Sequence, residues 1–141
     1  MTVTEQNIEY VLRFFKSWEK GSYNDLRQSY REFLAADVLY QNSGVPDCDG
    51  IDAALALIDS VCLLDCMKIQ SIRVKLLSIC ANREHVFTER IDYHYNTAGD
   101  AVLVPRICGV MEFRNGKIVR WADYYDPIPM VQVLNERTGK P

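Results

Sequence analysis

VFTERID at residues 86–92 and IVRWADYYD at 118–126 are the two stretches from which the fold is read. Side chains alternate between faces along a strand, so Arg90 and Asp92 share one face while Phe87, Glu89 and Ile91 share the other. In the second stretch Val119, Trp121, Asp123 and Tyr125 form one face, apolar and aromatic except for a single carboxylate. Glu89 and Asp126 are expected on the opposite faces, toward solvent or an edge. If both strands lie in one curved sheet with their special faces inward, two aspartates and an arginine converge in a largely apolar chamber.

The neighbouring sequence supplies that sheet. Asn115-Gly116 is a two-residue hairpin signal between Met111-Phe113 and Ile118-Trp121, because both residue types tolerate the positive φ angles such turns need. Residues 102–114 read as one strand, NTAGD at 96–100 as the turn before it, and 86–95 as the strand before that. These three strands are expected to be antiparallel neighbours. Upstream, Ile69, Ile72, Val74, Leu76 and Ile79 suggest a long strand with one irregularity, closed by a turn at Asn82-Arg83-Glu84. DVLYQN at 37–42 is a further strand, with Tyr40 and Asn42 on one face.

Helical spacing dominates the rest. Thr4 is expected to cap a helix carrying Ile8, Val11, Leu12, Phe15 and Trp18, stopped by Gly21. Ser22 with Asp25 reads as a capping box for a second helix bearing Leu26, Tyr30 and Phe33. Asp49 is expected to cap a third, from Ile51 to about Cys66, with the stripe Ile51, Leu55, Ile58 and Cys62. After Pro127, apolar Ile128, Met130, Val131 and Val133 precede a polar end, out to Pro141, that is expected to fray. Helices first and a meander afterwards indicate the α+β class. N-terminal helices pack on a strongly curved mixed or antiparallel β-sheet, forming a cone with an internal pocket, as one domain over residues 1–141.

Composition narrows the function classes. A hydrophobic share of 48% and a charged share of 25% are those of an ordinary globular protein, which argues against disorder. The net charge of −3, without a basic cluster, makes nucleic acid an unexpected partner. No apolar run is long enough to span a bilayer and the first residues lack a leader pattern, so a soluble, cytoplasmic protein with no membrane partner is expected. The five cysteines, Cys48, Cys62, Cys66, Cys80 and Cys108, are odd in number and contain no CxxC pair. They argue for a reducing compartment and against a disulfide framework, and Cys62 and Cys66 are expected to be buried small hydrophobes. Cys62 and Cys66 lack histidines at ligand spacing, and no nucleotide or flavin signature is present, so no metal and no cofactor are expected.

Tyr40-Gln41-Asn42, Glu89-Arg90-Ile91-Asp92 and Trp121-Ala122-Asp123-Tyr124-Tyr125-Asp126 together resemble the three site-bearing segments of the limonene-1,2-epoxide hydrolases, in order and with similar separations. The cone itself is similar to that of nuclear-transport-factor-2-like proteins. Carried over residue by residue, the resemblance implies a catalytic trio of Asp92, Arg90 and Asp123, with Tyr40 and Asn42 holding water. It implies Asp123 as base and Asp92 as acid. Chemistry supplies a separate reason for such a set. Opening an epoxide in one step needs a base for the water and an acid for the departing oxygen at nearly the same moment. Two neighbouring carboxyls serve if one is ionised and the other neutral, and an arginine forked between them suits that division.

The reading is therefore an epoxide hydrolase that acts on a small, mostly apolar epoxide, cyclic or terpene-like, and yields a vicinal diol. Pocket walls are expected from Leu55, Ile58, Cys62, Ile107 and Tyr125. His94 shares a face with Asp92 and is expected at the rim, where the resemblance implies an aliphatic residue. A polyether-type epoxide cyclase, a ketosteroid-isomerase-like enzyme and a non-catalytic binder on the same cone are the alternatives. The outward face with Phe87, Ile91, Tyr93 and Tyr95 is too apolar to lie bare, which predicts a homodimer, as the resemblance also implies.

Overall fold

The computed structural model describes residues 1–138, apart from the side chains of residues 133–134 and 136–138. The expected fraying of the polar end extends over residues 139–141, outside those described. Helices α1 (Val3–Ser17) and α2 (Tyr23–Phe33) come first, then strands β1 (Leu34–Asn42) and β2 (Cys48–Asp49) and helix α3 (Ile51–Cys62). Strands β3 (Ile69–Asn82), β4 (His85–Asn96), β5 (Ala101–Leu103), β6 (Arg106–Arg114) and β7 (Lys117–Tyr124) follow, and α4 (Ile128–Thr138) ends the chain. The sheet runs β2-β1-β7-β6-β4-β3, with β5 paired to β4. It is mixed, because β1 runs parallel to β7 while the other pairs are antiparallel.

Capping chemistry sets where the helices begin. Thr2, not Thr4, caps α1: its Oγ1 accepts from the Glu5 amide at 3.1 Å. Thr2 has an acid three residues on, the spacing that serves an N-cap, whereas Thr4 has Asn7 there. Ser22 and Asp25 do form the capping box of α2, with Ser22 N donating to Asp25 Oδ2 at 2.8 Å. The cap of α3 is Gly50 at φ 92°, not Asp49, which pairs with Leu39 as part of β2. That helix ends at Cys62, four residues short of expectation, and the chain turns through exposed Leu63 to reach Lys68 at φ 43°. Met67 and Ile69 behind this turn are buried, so the sheet's core captures the chain before another helical turn forms.

The sheet bends at its irregularities. β3 has two, between Ile69 and Ser71 and between Leu76 and Ser78, where one was expected. The expected strand over 102–114 is split into β5 and β6 at Val104-Pro105, since proline has no N–H for the ladder. Both halves lie along β4, and Pro105 O accepts from the Asp92 amide at 3.1 Å. In the β6–β7 hairpin Asn115 and Gly116 take φ 52° and 75°. The pairing then jumps from Phe113↔Ile118 to Glu112↔Arg120, leaving Val119 as the bulged residue. Ile118 is thereby the fully buried member, not Val119 as strict alternation required, and Trp121 and Asp123 keep their inward aim.

Helices α1 and α2 close one side of this curved sheet with an aromatic cluster. Phe14 stacks on Phe33, and Trp18 stacks on Trp121 of β7 with centroids 5.6 Å apart. Beyond the last strand the chain forms α4, which the sequence reading did not anticipate. No helix among the described residues is long and apolar enough to cross a membrane.

Candidate active site

β4 carries the site's centre. Its inner face presents Val86, Thr88, Arg90 and Asp92 in succession, all buried, while Phe87 and Glu89 point outward and are exposed. Asp123 arrives from β7 and lies in register with Gly109 on β6 and with Asn42 on β1. Gly109 is in turn in register with Thr88. Four adjacent strands thus bring Thr88, Arg90, Asp92, Asp123 and Asn42 to one place.

Arg90 is 1% exposed and uses three of its nitrogens on three partners. Nε donates to Asp92 Oδ1 at 3.0 Å, Nη2 to Asp123 Oδ2 at 2.6 Å and Nη1 to Thr88 Oγ1 at 3.1 Å. The Phe15 ring lies under the guanidinium, 5.0 Å from its centre, and adds a cation–π contact. Burial works against the charge on Arg90, but the carboxylates of Asp123 and Asp92 outweigh it and hold its pKa above the ordinary value. The other Asp123 oxygen, Oδ1, accepts from Trp121 Nε1 at 2.9 Å.

The two acids differ in surroundings. Burial pushes the Asp92 pKa up and the Asp123 charge adds to that push, while the Arg90 charge opposes it. Asp123, in contrast, has an N–H donor on each oxygen, which addresses it as a carboxylate. One neutral acid beside one ionised acid is the division that paired carboxyls adopt in a dry site.

Both acids line a cavity of about 470 Å³ bounded by the sheet, α2, α3 and the first residues after β7. Arg90 is not part of its wall; it sits behind both acids, hydrogen-bonded to each. Tyr40, Asn42 and Tyr125 line the cavity near Asp123. Tyr125 Oη donates to Asn42 Oδ1 at 3.3 Å. Asn42 Nδ2 is then a buried donor with no acceptor among the described residues. Burial raises the hydroxyl pKa of Tyr40, and that of Tyr125 is pushed up to about 12, so both stay protonated.

Of the expected walls, Ile58, Cys62, Ile107 and Tyr125 line the cavity, and so does His94, which was expected at the rim. Leu55 does not: it is 1% exposed inside the core, and α3 turns Leu57, Ile58, Val61 and Cys62 to the cavity instead. Asp126, expected to face away, reaches the cavity edge because β7 ends at Tyr124 and its alternation ends with it. Of the two cysteines expected to be buried, Cys62 is buried and Cys66 is half-buried.

Sequence reasoning missed Thr88, Trp121 as a donor, and Gly109. The first two stand two residues from Arg90 and Asp123 on the same faces, so alternation already carried the signal. A Cβ on Gly109 would lie 2.5 Å from both Arg90 Nη1 and Asp123 Oδ1. A glycine inside a strand marks such a close approach.

Several solved structures share this arrangement of chain. An LEH-like epoxide hydrolase of M. tuberculosis is 25% identical, with 96% of this chain and 94% of that one covered at a TM-score of 0.66. A candidate SnoaL-like polyketide cyclase from Jannaschia sp. is 15% identical, covering 100% and 97%, at a TM-score of 0.72. A nuclear-transport-factor-2-like protein of unknown function from Burkholderia pseudomallei is 17% identical, covering 94% and 98%, at 0.71. The latter two likenesses establish the α+β cone. The limonene-1,2-epoxide hydrolase catalytic domain matches residues 5–136, nearly the whole chain, and with Asp92, Arg90 and Asp123 joined inside that span the chain belongs to this family.

Proposed function

We propose that this protein is an epoxide hydrolase that adds water to a small, mostly apolar epoxide of cyclic or terpene-like type in one step, without a covalent enzyme intermediate or a cofactor. The observation that carries the reading is one buried arginine hydrogen-bonded to two buried aspartates that both face an apolar cavity. A structural ion pair needs one acid; the second acid on a cavity wall supplies a reagent. Family membership and the epoxide-hydrolase relative from M. tuberculosis support the same reaction type.

Each oxygen of Asp123 keeps one lone pair beyond the donor it already serves, so the carboxylate remains able to take a proton from water. As it does so, a lone pair of that water attacks an epoxide carbon, the bond from that carbon to the ring oxygen breaks, and the oxygen takes the proton of Asp92. The second hydroxyl of the diol comes from water. Asn42 Nδ2 donates to the attacking water and the Tyr40 hydroxyl oxygen accepts from it, which aims the remaining lone pair at carbon. Proton return from Asp123 to Asp92 through solvent restores the starting state. Concerted acid and base assistance of this kind contributes about 10²- to 10⁴-fold each.

A chiral analysis of diols from cyclic and terpene epoxides, run with the parent, Asp92→Asn and Asp123→Asn, tests the reading. Diol from the parent, lost in both variants and formed with inversion at the attacked carbon, is the expected result. A single turnover in heavy-oxygen water that leaves protein oxygen in the diol overturns the one-step route.

The same reading takes a second copy of the chain as the cover of the outer sheet face, where Leu77 is 46% and Phe87 39% exposed beside Ile91, Tyr93 and Tyr95. A monomeric mass by light scattering at micromolar concentration contradicts it. The free thiols of Cys48, Cys62, Cys80 and Cys108 fit a cytoplasmic setting.

A further inference from the structure

His94 puts a polar group into a stretch of cavity wall that is otherwise apolar. It stands two residues beyond Asp92 on the inner face of β4, about 7 Å further along the strand. Ile72, its register partner on β3, and Val102 and Leu103 of β5 line the cavity around it. The ring is held in place: Nδ1 lies 3.2 Å from the carbonyl oxygen of Asp92 and 3.2 Å from that of Leu103.

Those two contacts fix the tautomer. A carbonyl oxygen only accepts, so Nδ1 carries the ring proton, and in the neutral ring Nε2 is left as an acceptor. Burial lowers the His94 pKa, against the opposing pull of the Asp92 charge, which keeps the ring neutral. Nε2 makes no hydrogen bond among the described residues, and its aliphatic neighbours have no donor to give it. The cavity's roughly 470 Å³ is room for on the order of fifteen water-sized heavy atoms at about 30 Å³ each, enough for a carbocycle bearing a further polar substituent.

We infer that His94 is a specificity-determining residue whose Nε2 accepts a hydrogen bond from a hydroxyl group of the substrate, so that the preferred substrate class is an epoxy alcohol and the product a triol. The inference rests on the hydrolase reading and deepens it. An epoxide lacking the hydroxyl leaves a desolvated acceptor unpaired, and the site rejects it for that reason. The strand spacing places the hydroxyl a few bonds from the epoxide oxygen that faces Asp92.

The test compares a hydroxymethyl-bearing cyclohexene oxide with its methyl counterpart, using kcat/KM in the parent, His94→Leu and His94→Gln. The parent is expected to favour the alcohol by about tenfold, the worth of one buried hydrogen bond. The ratio should collapse toward one in His94→Leu and recover in part in His94→Gln, whose amide oxygen accepts. A parent with no preference, or a preference that survives in His94→Leu, overturns the inference while the hydrolase reading stands. If neither epoxide yields diol, the hydrolase reading fails. His94 is then judged by calorimetric binding of the same two compounds: a preference for the alcohol that His94→Leu abolishes upholds the acceptor role, and equal binding by the parent overturns it.

Discussion

Arg27 with Asp59, on the helical side of the molecule, and Arg90 with Asp92 and Asp123, inside the sheet, use the same side chains to opposite effect. Arg27 Nε and Nη2 grip both oxygens of Asp59 at 2.9 and 3.2 Å, and the Tyr23 hydroxyl donates to the same carboxylate. The side chains of that pair are 31% and 28% exposed, whereas the side chains of Arg90 and Asp92 are 0% and 6% exposed. For Asp59, burial raises the pKa but the hydrogen bonds from Tyr23 and Arg27 overcome it, and the acid sits below its ordinary value. For Asp92, burial is deeper, a second acid is near, and the balance tips upward. The lesson is that an arginine beside an aspartate does not by itself make a salt bridge of the inert kind. Solvent access and the number of acids sharing the cation decide whether the carboxyl is pinned as an anion or poised as an acid.

The sharpest way to break this comparison is to neutralise each acid in turn. Asp123→Asn and Asp92→Asn are each expected to lower kcat for diol formation by about 10³-fold, whereas Asp59→Asn stays within about threefold of the parent, because only the first two reach reacting atoms. Equal losses in all three variants end the distinction. Removing the cations is the next largest contrast. Arg90→Met leaves two buried carboxyls uncompensated and is expected to cost about 3–5 kcal/mol in urea unfolding. Arg27→Met, at a half-open site, is expected to cost about 1 kcal/mol or less.

Gly109→Ala intrudes on the Arg90–Asp123 contact itself, and the overpacked strand should lose about 1–3 kcal/mol of stability together with most of the activity. Full activity in that variant contradicts the tight approach. The smallest effect is one of sign. The folded-state pKa of Asp92 lies above its ordinary 3.8, so its contribution to stability is present below pH 3.8 and is lost as pH rises through the raised value. That of Asp59 lies below 3.8, so its contribution is present above pH 3.8 and is lost as pH falls through the lowered value. Melting temperatures across the acid range, each as a difference from the Asp→Asn variant at that position, should therefore slope in opposite directions. Parallel slopes remove the electrostatic contrast.

Much of this was legible in the residues. The Asn-Gly hairpin, the period-two strands and the Ser22–Asp25 box announce themselves through local backbone chemistry, and two acids with an arginine on inward faces follow from alternation alone. What was not legible depends on contacts distant in sequence. The bulge at Val119 exists because β7 must turn Ile118 inward while pairing β6 and β1 at once. The split of one expected strand into β5 and β6 at Pro105 follows from packing along β4, and the parallel partnership of β1 with β7, which brings Asn42 beside Asp123, has no local signature. Leu55 and Ile58 both repeat at helical spacing, yet only packing decides which one faces the cavity.

The stacked indoles of Trp18 and Trp121 have a consequence of an optical kind. They are the chain's two tryptophans, lie 5.6 Å apart at 22°, and both border the cavity, while Trp121 also donates a hydrogen bond to Asp123. Two near-parallel chromophores at that range share their excited states, so their near-ultraviolet circular dichroism is a coupled signal set by their mutual tilt. A guest that enters the cavity changes that tilt or the polarity beside it. The protein thus carries an intrinsic, label-free gauge of what occupies it, readable even for compounds that it binds and does not transform.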